Sequence, residues 1–366
     1  MVDSKKLVND LIKKYNVEEF CGVSDSTLKS IIDYSIDLGM YIPFTNEGDA
    51  VAYAAGRTLS GHNTVVLMQN SGLTNASSAI SSLSSLYGIK LIYIVGWRGN
   101  PANKAPDEPQ HFITGINTTN FIKSISNNYM ITYLEYNDDI DSISKNYDNF
   151  ILVDRGVLSK YESKYSLDTT DHSKYPDRID LIKYISDIAN NNDDVYVLST
   201  TGYTSRELMY FGEVNSKNFY MLGSMGCLIS FATGVAHSNP NKKFIVLDGD
   251  GSFLMRPEGS YMSDYMCTNN IMHVVFRNGT HLSTGGQILP GYPDEFIYAS
   301  APNSYRVTTK SLSSFCSTVD KWLSDDDRCH YVVVAYTSNS VLDSLPRPSQ
   351  TPNEIAYRFS KRLSEE

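Results

Sequence analysis

Short apolar runs, rich in Val and Ile, alternate along the chain with segments whose apolar positions recur every three or four residues. A run of this kind, apolar at consecutive positions and bounded by turn residues, reads as a strand buried on both faces of a parallel sheet. Such runs lie within 18–23 and at 41–45, 64–69, 90–95 and 150–154, then at 195–198, 218–222, 243–248, 271–276 and 330–336. Helical periodicity covers 4–15, a segment starting near Thr27, an Ala-rich stretch over 50–60, an Ala- and Ser-rich stretch after Gly72, residues 178–190 and the C-terminal end. This alternation predicts an α/β chain of two doubly wound, mostly parallel-sheet units. A polar, turn-rich stretch at about 158–178 marks the linker and puts the domains at 1–165 and 166–366.

The most informative stretch runs from Lys243 to His281. Phe244–Asp248 and Ile271–Phe276 have the composition of adjacent parallel strands, and the segment between them has the size of a right-handed crossover. Both strands then end on one edge of the sheet, which brings Asp250 and Asn278 together there. Glycines at 249, 251 and 279 let a ligand approach the backbone closely. A carboxylate and an amide oxygen side by side suit a hard cation such as Mg²⁺.

At 366 residues the chain is long enough for two domains, with 41% hydrophobic and 20% charged residues. No apolar run approaches membrane-spanning length, and the start lacks a secretory core, so a protein without a membrane segment is expected. Five cysteines, at 21, 227, 267, 316 and 329, form no CxxC pair, which favours a reducing cytoplasm. The net charge of −10, with basic residues scattered, argues against a nucleic-acid surface. An anionic substrate must therefore be met by local positive groups. His62, His172, His237, His273 and His330 show no ligand spacing, so no zinc site is expected.

Gly249-Asp250-Gly251 followed by Asn278 resembles the cofactor signature of the thiamine-diphosphate enzymes. Longer stretches narrow the resemblance to the phosphonopyruvate and sulfopyruvate decarboxylase group: Gly22–Ser26, Met68–Asn75, Gly96–Gly99, Asp107–His111, Thr200–Glu207 and Asn278–Gln287. The resemblance implies a pyrimidine-binding first domain, a diphosphate- and Mg-binding second domain and no middle domain between them. It implies that Glu47 hydrogen-bonds the aminopyrimidine, that the Gly223 carbonyl and Ser224 line it, and that Met225 wedges the cofactor into a folded form. Thr200, Thr201, Gly202, Gly251 and Ser252 would hold the diphosphate, with Asp250, Asn278 and the Thr280 carbonyl on Mg²⁺. Ser24 stands where Pro is expected, Arg277 where Asn is expected, and Thr280 where Ala is expected.

Ser24, Asp25, Asn70 and Arg98 are the substrate candidates, and His111 and His281 the candidate proton-handling groups. Arg98 offers a rigid fork for a tetrahedral anion, its ordinary alternative being an ion pair. Asp25 is ill suited to an anion and fits better as a partner to a histidine or to the departing carboxylate. Decarboxylation of phosphonopyruvate to phosphonoacetaldehyde and CO₂, in phosphonate biosynthesis, is the expected reaction. Sulfopyruvate decarboxylation and 2-oxo-acid carboligation are the alternatives. The resemblance further implies a homodimer or larger assembly with cofactor sites at the subunit interface. Loops 98–118 and 281–294 are the candidates for closing over substrate.

Overall fold

The computed structural model describes residues 1–103, 107–134, 143–164, 171–212, 216–266, 269–325, 330–346 and 350–365. Cys267, Cys329, part of the expected linker (165–170) and part of the 98–118 loop (104–106) lie outside these. The chain divides into two units: residues 1–169 with 283–290, and residues 170–282 with 291–366.

The first unit is a six-stranded parallel sheet: β1 (Val17–Gly22), β2 (Tyr41–Pro43), β3 (Asn63–Gln69), β4 (Ile92–Trp97), β5 (Tyr129–Leu134) and β6 (Asp148–Asp154). Their order across the sheet is β2-β1-β3-β4-β6-β5. Its helices are α1 (Ser4–Tyr15), α2 (Lys29–Asp37), α3 (Glu47–Leu59), α4 (Gly72–Ser78) and α5 (Phe112–Ile125). The first turn of α1 is capped by the Asp3 carboxylate, which accepts from Lys5 and Lys6 N–H at 2.9 and 3.2 Å. Leu7, Leu11, Ile31 and Ile32 of α1 and α2 pack on one face of the sheet against Phe20, Val65 and Ile151. Val51 and Ala54 of α3, Leu73 and Ile122 pack on the other, against Val66, Tyr93 and Phe150. Apolar residues therefore leave water from both faces, which is why the strands read as uninterrupted apolar runs.

The second unit repeats the plan with β7 (Val195–Ser199), β8 (Asn218–Tyr220), β9 (Lys243–Gly249), β10 (Ile271–Arg277), β11 (Tyr305–Thr309) and β12 (Tyr331–Tyr336). They are all parallel, in the order β11-β12-β10-β9-β7-β8. Around them lie α6 (Arg178–Asn191), α7 (Tyr203–Tyr210), α8 (Leu228–Ser238), α9 (Asp250–Met255), α10 (Glu258–Tyr265), α11 (Asp294–Ala299), α12 (Leu312–Ser324) and α13 (Pro352–Ser364). Both units are doubly wound parallel sheets with no domain between them. No helix among the described residues is long and apolar enough to cross a membrane, and Cys21, Cys227 and Cys316 are free thiols.

Glu207, at the end of one of the stretches picked out in the sequence, has a structural task. Arg178 at the start of α6 donates to it through Nε at 2.7 Å and Nη2 at 2.8 Å, and both side chains are buried. Removing one partner leaves a buried charge uncompensated, at a cost of about 3–5 kcal/mol. Glu207→Ala is thus expected to lower the stability of the second unit by that amount. Urea unfolding followed at Trp322 in a Trp97→Phe background measures it, and a loss below about 1 kcal/mol would contradict it.

Candidate active site

In both units the candidate residues sit beyond the carboxyl ends of neighbouring strands, the edge where open α/β sheets bind ligands. In the second unit these ends belong to β7, β9 and β10, which lie side by side. Asp250 opens α9 directly after β9, and Asn278 follows β10. The Asp250 carboxylate is 2% exposed. Its Oδ1 accepts from Gly251 N–H at 2.9 Å, and its Oδ2 accepts from the N–H of Asn278 at 3.1 Å and of Gly279 at 2.8 Å. Burial raises its pKa to about 6, against the lowering by these three N–H groups and by the charge of Arg277.

Asn278 faces the same point. Its amide oxygen lies 3.3 Å from Asp250 Oδ1 and 3.2 Å from the Thr280 carbonyl oxygen, while its nitrogen donates to the Thr280 hydroxyl at 3.2 Å. The Asn278 oxygen thus faces two other oxygens with no proton between them, an arrangement that repels unless a cation draws the groups together. With no cation there, the amide does better reversed, its nitrogen donating to both acceptors at the same distances. Octahedral Mg²⁺, with ligands about 2.1 Å away, holds adjacent oxygens about 3 Å apart. The all-oxygen set of Asp250, Asn278 and Thr280 therefore fits a small hard divalent cation.

The neighbouring segments are joined through one hydroxyl. Ser252 Oγ lies 3.1 Å from Thr200 Oγ1 and accepts from Gly226 N–H at 3.0 Å. Thr201 donates to the Leu222 carbonyl at 2.8 Å, and Gly202 follows with φ +90° at the start of α7. Thr200, Thr201 and Gly202 are thereby gathered with Ser252 and Gly251. Ser224, at φ +53°, turns the chain between Gly223 and Met225. A Cβ on Gly251 would lie 2.5 Å from the His281 ring and 3.4 Å from Met225 Cε. Both side chains thus close over the same turn, and only glycine allows it. Burial lowers the His281 pKa to about 4, so the imidazole is neutral near pH 7.

In the first unit Ser24 and Asp25 follow β1, Glu47 follows β2, Asn70 follows β3 and Arg98 follows β4. Glu47 opens α3, whose first turn is capped by Asn46 accepting from Gly48 N–H at 2.8 Å. Its carboxylate is 5% exposed and accepts from Asn75 Nδ2 at 2.9 Å. A Cβ on Gly72 would lie 2.6 Å from Glu47 Oε1. Asn75 and Gly72 thus hold and shape the Glu47 site, a part that the sequence reading left unassigned. The spacing carries a signal, since Gly72 and Asn75 stand three apart on one face of α4.

Asn70 and Arg98 are committed within the unit. The Asn70 amide donates to the Arg98 carbonyl at 2.8 Å and to Thr118 at 2.9 Å, and accepts from Arg98 N–H at 3.2 Å. Arg98 donates through Nε and Nη2 to Asp107 at 2.8 and 2.6 Å, which leaves Nη1. Asp107 is a second residue whose role the sequence did not disclose. Ser24 lies 2.9 Å from Thr284, whose segment belongs to this unit. His111 is buried at the head of α5, and burial, then the charge of Arg98, lowers its pKa to about 4. A polar cavity of about 330 Å³ opens elsewhere in the unit, lined by Lys29, Asp33, Ser163 and Gln287. None of the candidate site residues lines it.

Asp25 is 1% exposed and has no well-formed hydrogen bond to either carboxylate oxygen. Burial raises its pKa to about 6, opposed first by the charge of Arg98. A carboxyl whose folded pKa lies above its unfolded value binds protons better when folded. Its stabilising contribution is full below about pH 4 and is lost as pH rises through about 6. Asp25→Asn is therefore expected to stabilise the protein at pH 8 by about 2–3 kcal/mol and to leave it unchanged near pH 3.5. Denaturant unfolding at the two pH values tests this, and an equal effect at both would refute it.

Profiles of known families match both units. The N-terminal TPP binding domain of thiamine pyrophosphate enzymes matches residues 3–127, and the C-terminal TPP binding domain matches residues 201–313. A phosphonopyruvate decarboxylase from Streptomyces viridochromogenes is 31% identical over 94% of this chain and 90% of its own. A sulfopyruvate decarboxylase from Methanosarcina acetivorans is 25% identical over 99% of this chain and 98% of its own. The sulfopyruvate decarboxylase subunit beta of Methanocaldococcus jannaschii is 42% identical over 52% of this chain and 98% of its own. The chain belongs to the thiamine-diphosphate-dependent decarboxylases and is related to both the phosphonopyruvate and the sulfopyruvate decarboxylases.

Proposed function

We propose that the chain converts 3-phosphonopyruvate to phosphonoacetaldehyde and CO₂ with thiamine diphosphate and Mg²⁺, as a step in phosphonate biosynthesis. The observation that supports the cofactor assignment is the approach of the Asn278 amide to Asp250 Oδ1 at 3.3 Å and to the Thr280 carbonyl oxygen at 3.2 Å, beyond the ends of β9 and β10. For the substrate, the support is likeness along nearly the whole chain to two phosphonopyruvate decarboxylases, from Streptomyces viridochromogenes at 31% and Streptomyces hygroscopicus at 29% identity.

In this reading Asp250, Asn278 and the Thr280 carbonyl would hold Mg²⁺, which would supply positive charge to fix the cofactor diphosphate. Thr200, Thr201, Gly202, Gly251 and Ser252 surround the diphosphate, and Gly223, Ser224 and Met225 line the aminopyrimidine. Bound thiamine diphosphate supplies the electron sink for the bond broken as CO₂ leaves. Glu47 would hold the proton for the aminopyrimidine, and Asn75, which donates to its carboxylate at 2.9 Å, fixes that carboxylate in place. His111 and His281, both neutral near pH 7, can donate an N–H to the substrate oxygens or pass a proton without adding a positive charge. Ser24 and Nη1 of Arg98 meet the phosphonate, and Asp25 stays clear of it, placed instead to act on a histidine or on the departing carboxylate. Glu47 and the cation ligands come from different copies in this reading, which makes the working unit at least a homodimer.

Sulfopyruvate is the second reading, favoured by the 42% identity to the subunit beta from Methanocaldococcus jannaschii. Sulfonate and phosphonate are both tetrahedral anions, so competition between the two acids decides. The cofactor-loaded protein is expected to prefer phosphonopyruvate by about ten-fold or more in kcat/KM, a difference of about 1.4 kcal/mol in transition-state binding. A reversed ratio assigns sulfopyruvate, and turnover of neither acid rejects this substrate class. Glu47→Gln is expected to lower kcat by about 100-fold or more with the cofactor still bound. Unchanged turnover would remove Glu47 from the chemistry.

A further inference from the structure

The sequence leaves Arg98 two roles, a fork for a tetrahedral anion or a member of an ion pair, and its surroundings show how one serves the other. Its backbone is fixed by Asn70, which accepts from its N–H at 3.2 Å and donates to its carbonyl at 2.8 Å. The same amide donates to Thr118 at 2.9 Å. Its guanidinium is fixed by Asp107, which takes Nε on Oδ2 at 2.8 Å and Nη2 on Oδ1 at 2.6 Å. The two side chains are only 12% and 10% exposed, so the pair is shielded from water and is no loose surface contact. A planar guanidinium gripped along one edge keeps a single direction, and Nη1 is the nitrogen left over.

Asp107 is itself held in place. Its Oδ2 also accepts from Gly99 N–H at 3.0 Å and its Oδ1 from Glu108 N–H at 2.8 Å. These four donors fill the roughly four acceptor positions of the carboxylate, which leaves none for a ligand. Burial acts to raise its pKa, but Arg98 and these N–H groups hold it well below the usual carboxylate range, so it stays charged. The chain around it is closely packed. A Cβ on Gly99 would lie 2.2 Å from the His111 carbonyl oxygen, and one on Gly115 2.0 Å from the Gly99 carbonyl oxygen. Asn100 ties the start of the following loop to Asp154 at 2.7 Å, and Arg155 faces Asp107 at 3.7 Å.

We infer that Asp107 is a positioning residue for the anionic end of the substrate: it grips Arg98 along its Nε–Nη2 edge and thereby leaves Nη1 alone, in one fixed direction, to meet the phosphonate. The inference rests on the reading of Arg98 as the partner of that phosphonate. Charge and position predict opposite signs here. Asp107 offsets the field of Arg98, so by charge alone its neutralisation tightens the binding of an anion. By position, neutralisation frees the guanidinium to turn, and binding weakens.

Phosphonoacetate, which carries a phosphonate and a carboxylate but no keto group, is the probe, titrated calorimetrically into protein loaded with thiamine diphosphate and Mg²⁺. Asp107→Asn is expected to raise its dissociation constant about 10-fold and to leave the affinity for thiamine diphosphate unchanged. Arg98→Lys keeps the charge, loses the fork and is expected to weaken binding to a similar degree. Adding Asp107→Asn to Arg98→Lys should cost nothing further, because no fork remains to be held. Arg98→Met is the reference and should abolish binding. If it binds phosphonoacetate as the parent does, or the parent itself does not bind, Arg98 is not the anion's partner and that reading falls with the inference. If Arg98→Met abolishes binding while Asp107→Asn binds as tightly as the parent, or more tightly, the positioning inference alone is wrong. An equal loss of thiamine diphosphate affinity, or additive losses in the double variant, overturn it too. Should Asp107→Asn fail to fold, Arg98→Lys decides, and parent-like affinity there overturns the inference.

Discussion

A carboxylate kept out of water must be held by donors or drawn to a cation, and that constraint at Asp250 organises the second unit. Parallel pairing of β9 with β10 brings Asn278 and Gly279 N–H groups to its Oδ2, and the turn into α9 supplies Gly251 N–H to its Oδ1. These groups lower the pKa that burial raises, yet they leave Oδ1 facing the Asn278 amide, which also faces the Thr280 carbonyl. Backbone donors thus fix where the carboxylate is, and the open oxygen set determines what it can bind.

The first unit handles a buried carboxylate differently. Glu47 has a side-chain partner in Asn75 and a helix start beneath it, where N–H groups tolerate negative charge. Gly72 leaves room for it, as Gly251 leaves room for His281. In both units, close approach at one glycine decides whether a candidate site side chain can occupy its place. Asp25 is the exception, buried with neither a cation site nor well-formed hydrogen bonds, so it costs stability in its charged form. Groups left in that state are common where function needs a shifted pKa.

Much of this was legible in the sequence because parallel strands buried on both faces announce themselves as apolar runs. The strand pair around Gly249 and Asn278 could be placed from composition and spacing alone. The segment 112–134 carries no clear signal of helix or strand: α5 exposes Phe112, Ile113 and Ile116, so its apolar residues form no single buried stripe, and β5 is a half-buried edge strand. β11 is equally silent in the sequence, being a mostly polar strand at the sheet edge. At the site, residue types were readable but pairings were not. Nothing in the spacing of Arg98 and Asp107 distinguishes a bidentate pair across a loop from two independent surface charges, and Asn75 meets Glu47 only because β2 and β3 flank β1.

The account depends on a divalent cation joining the cofactor diphosphate to Asp250, Asn278 and Thr280. Calorimetric titration of thiamine diphosphate into chelator-treated protein, with and without Mg²⁺, tests this most directly. The account predicts saturable binding of one cofactor per chain when Mg²⁺ is present and none at comparable concentration without it. Equally tight binding in the absence of any divalent cation would contradict it.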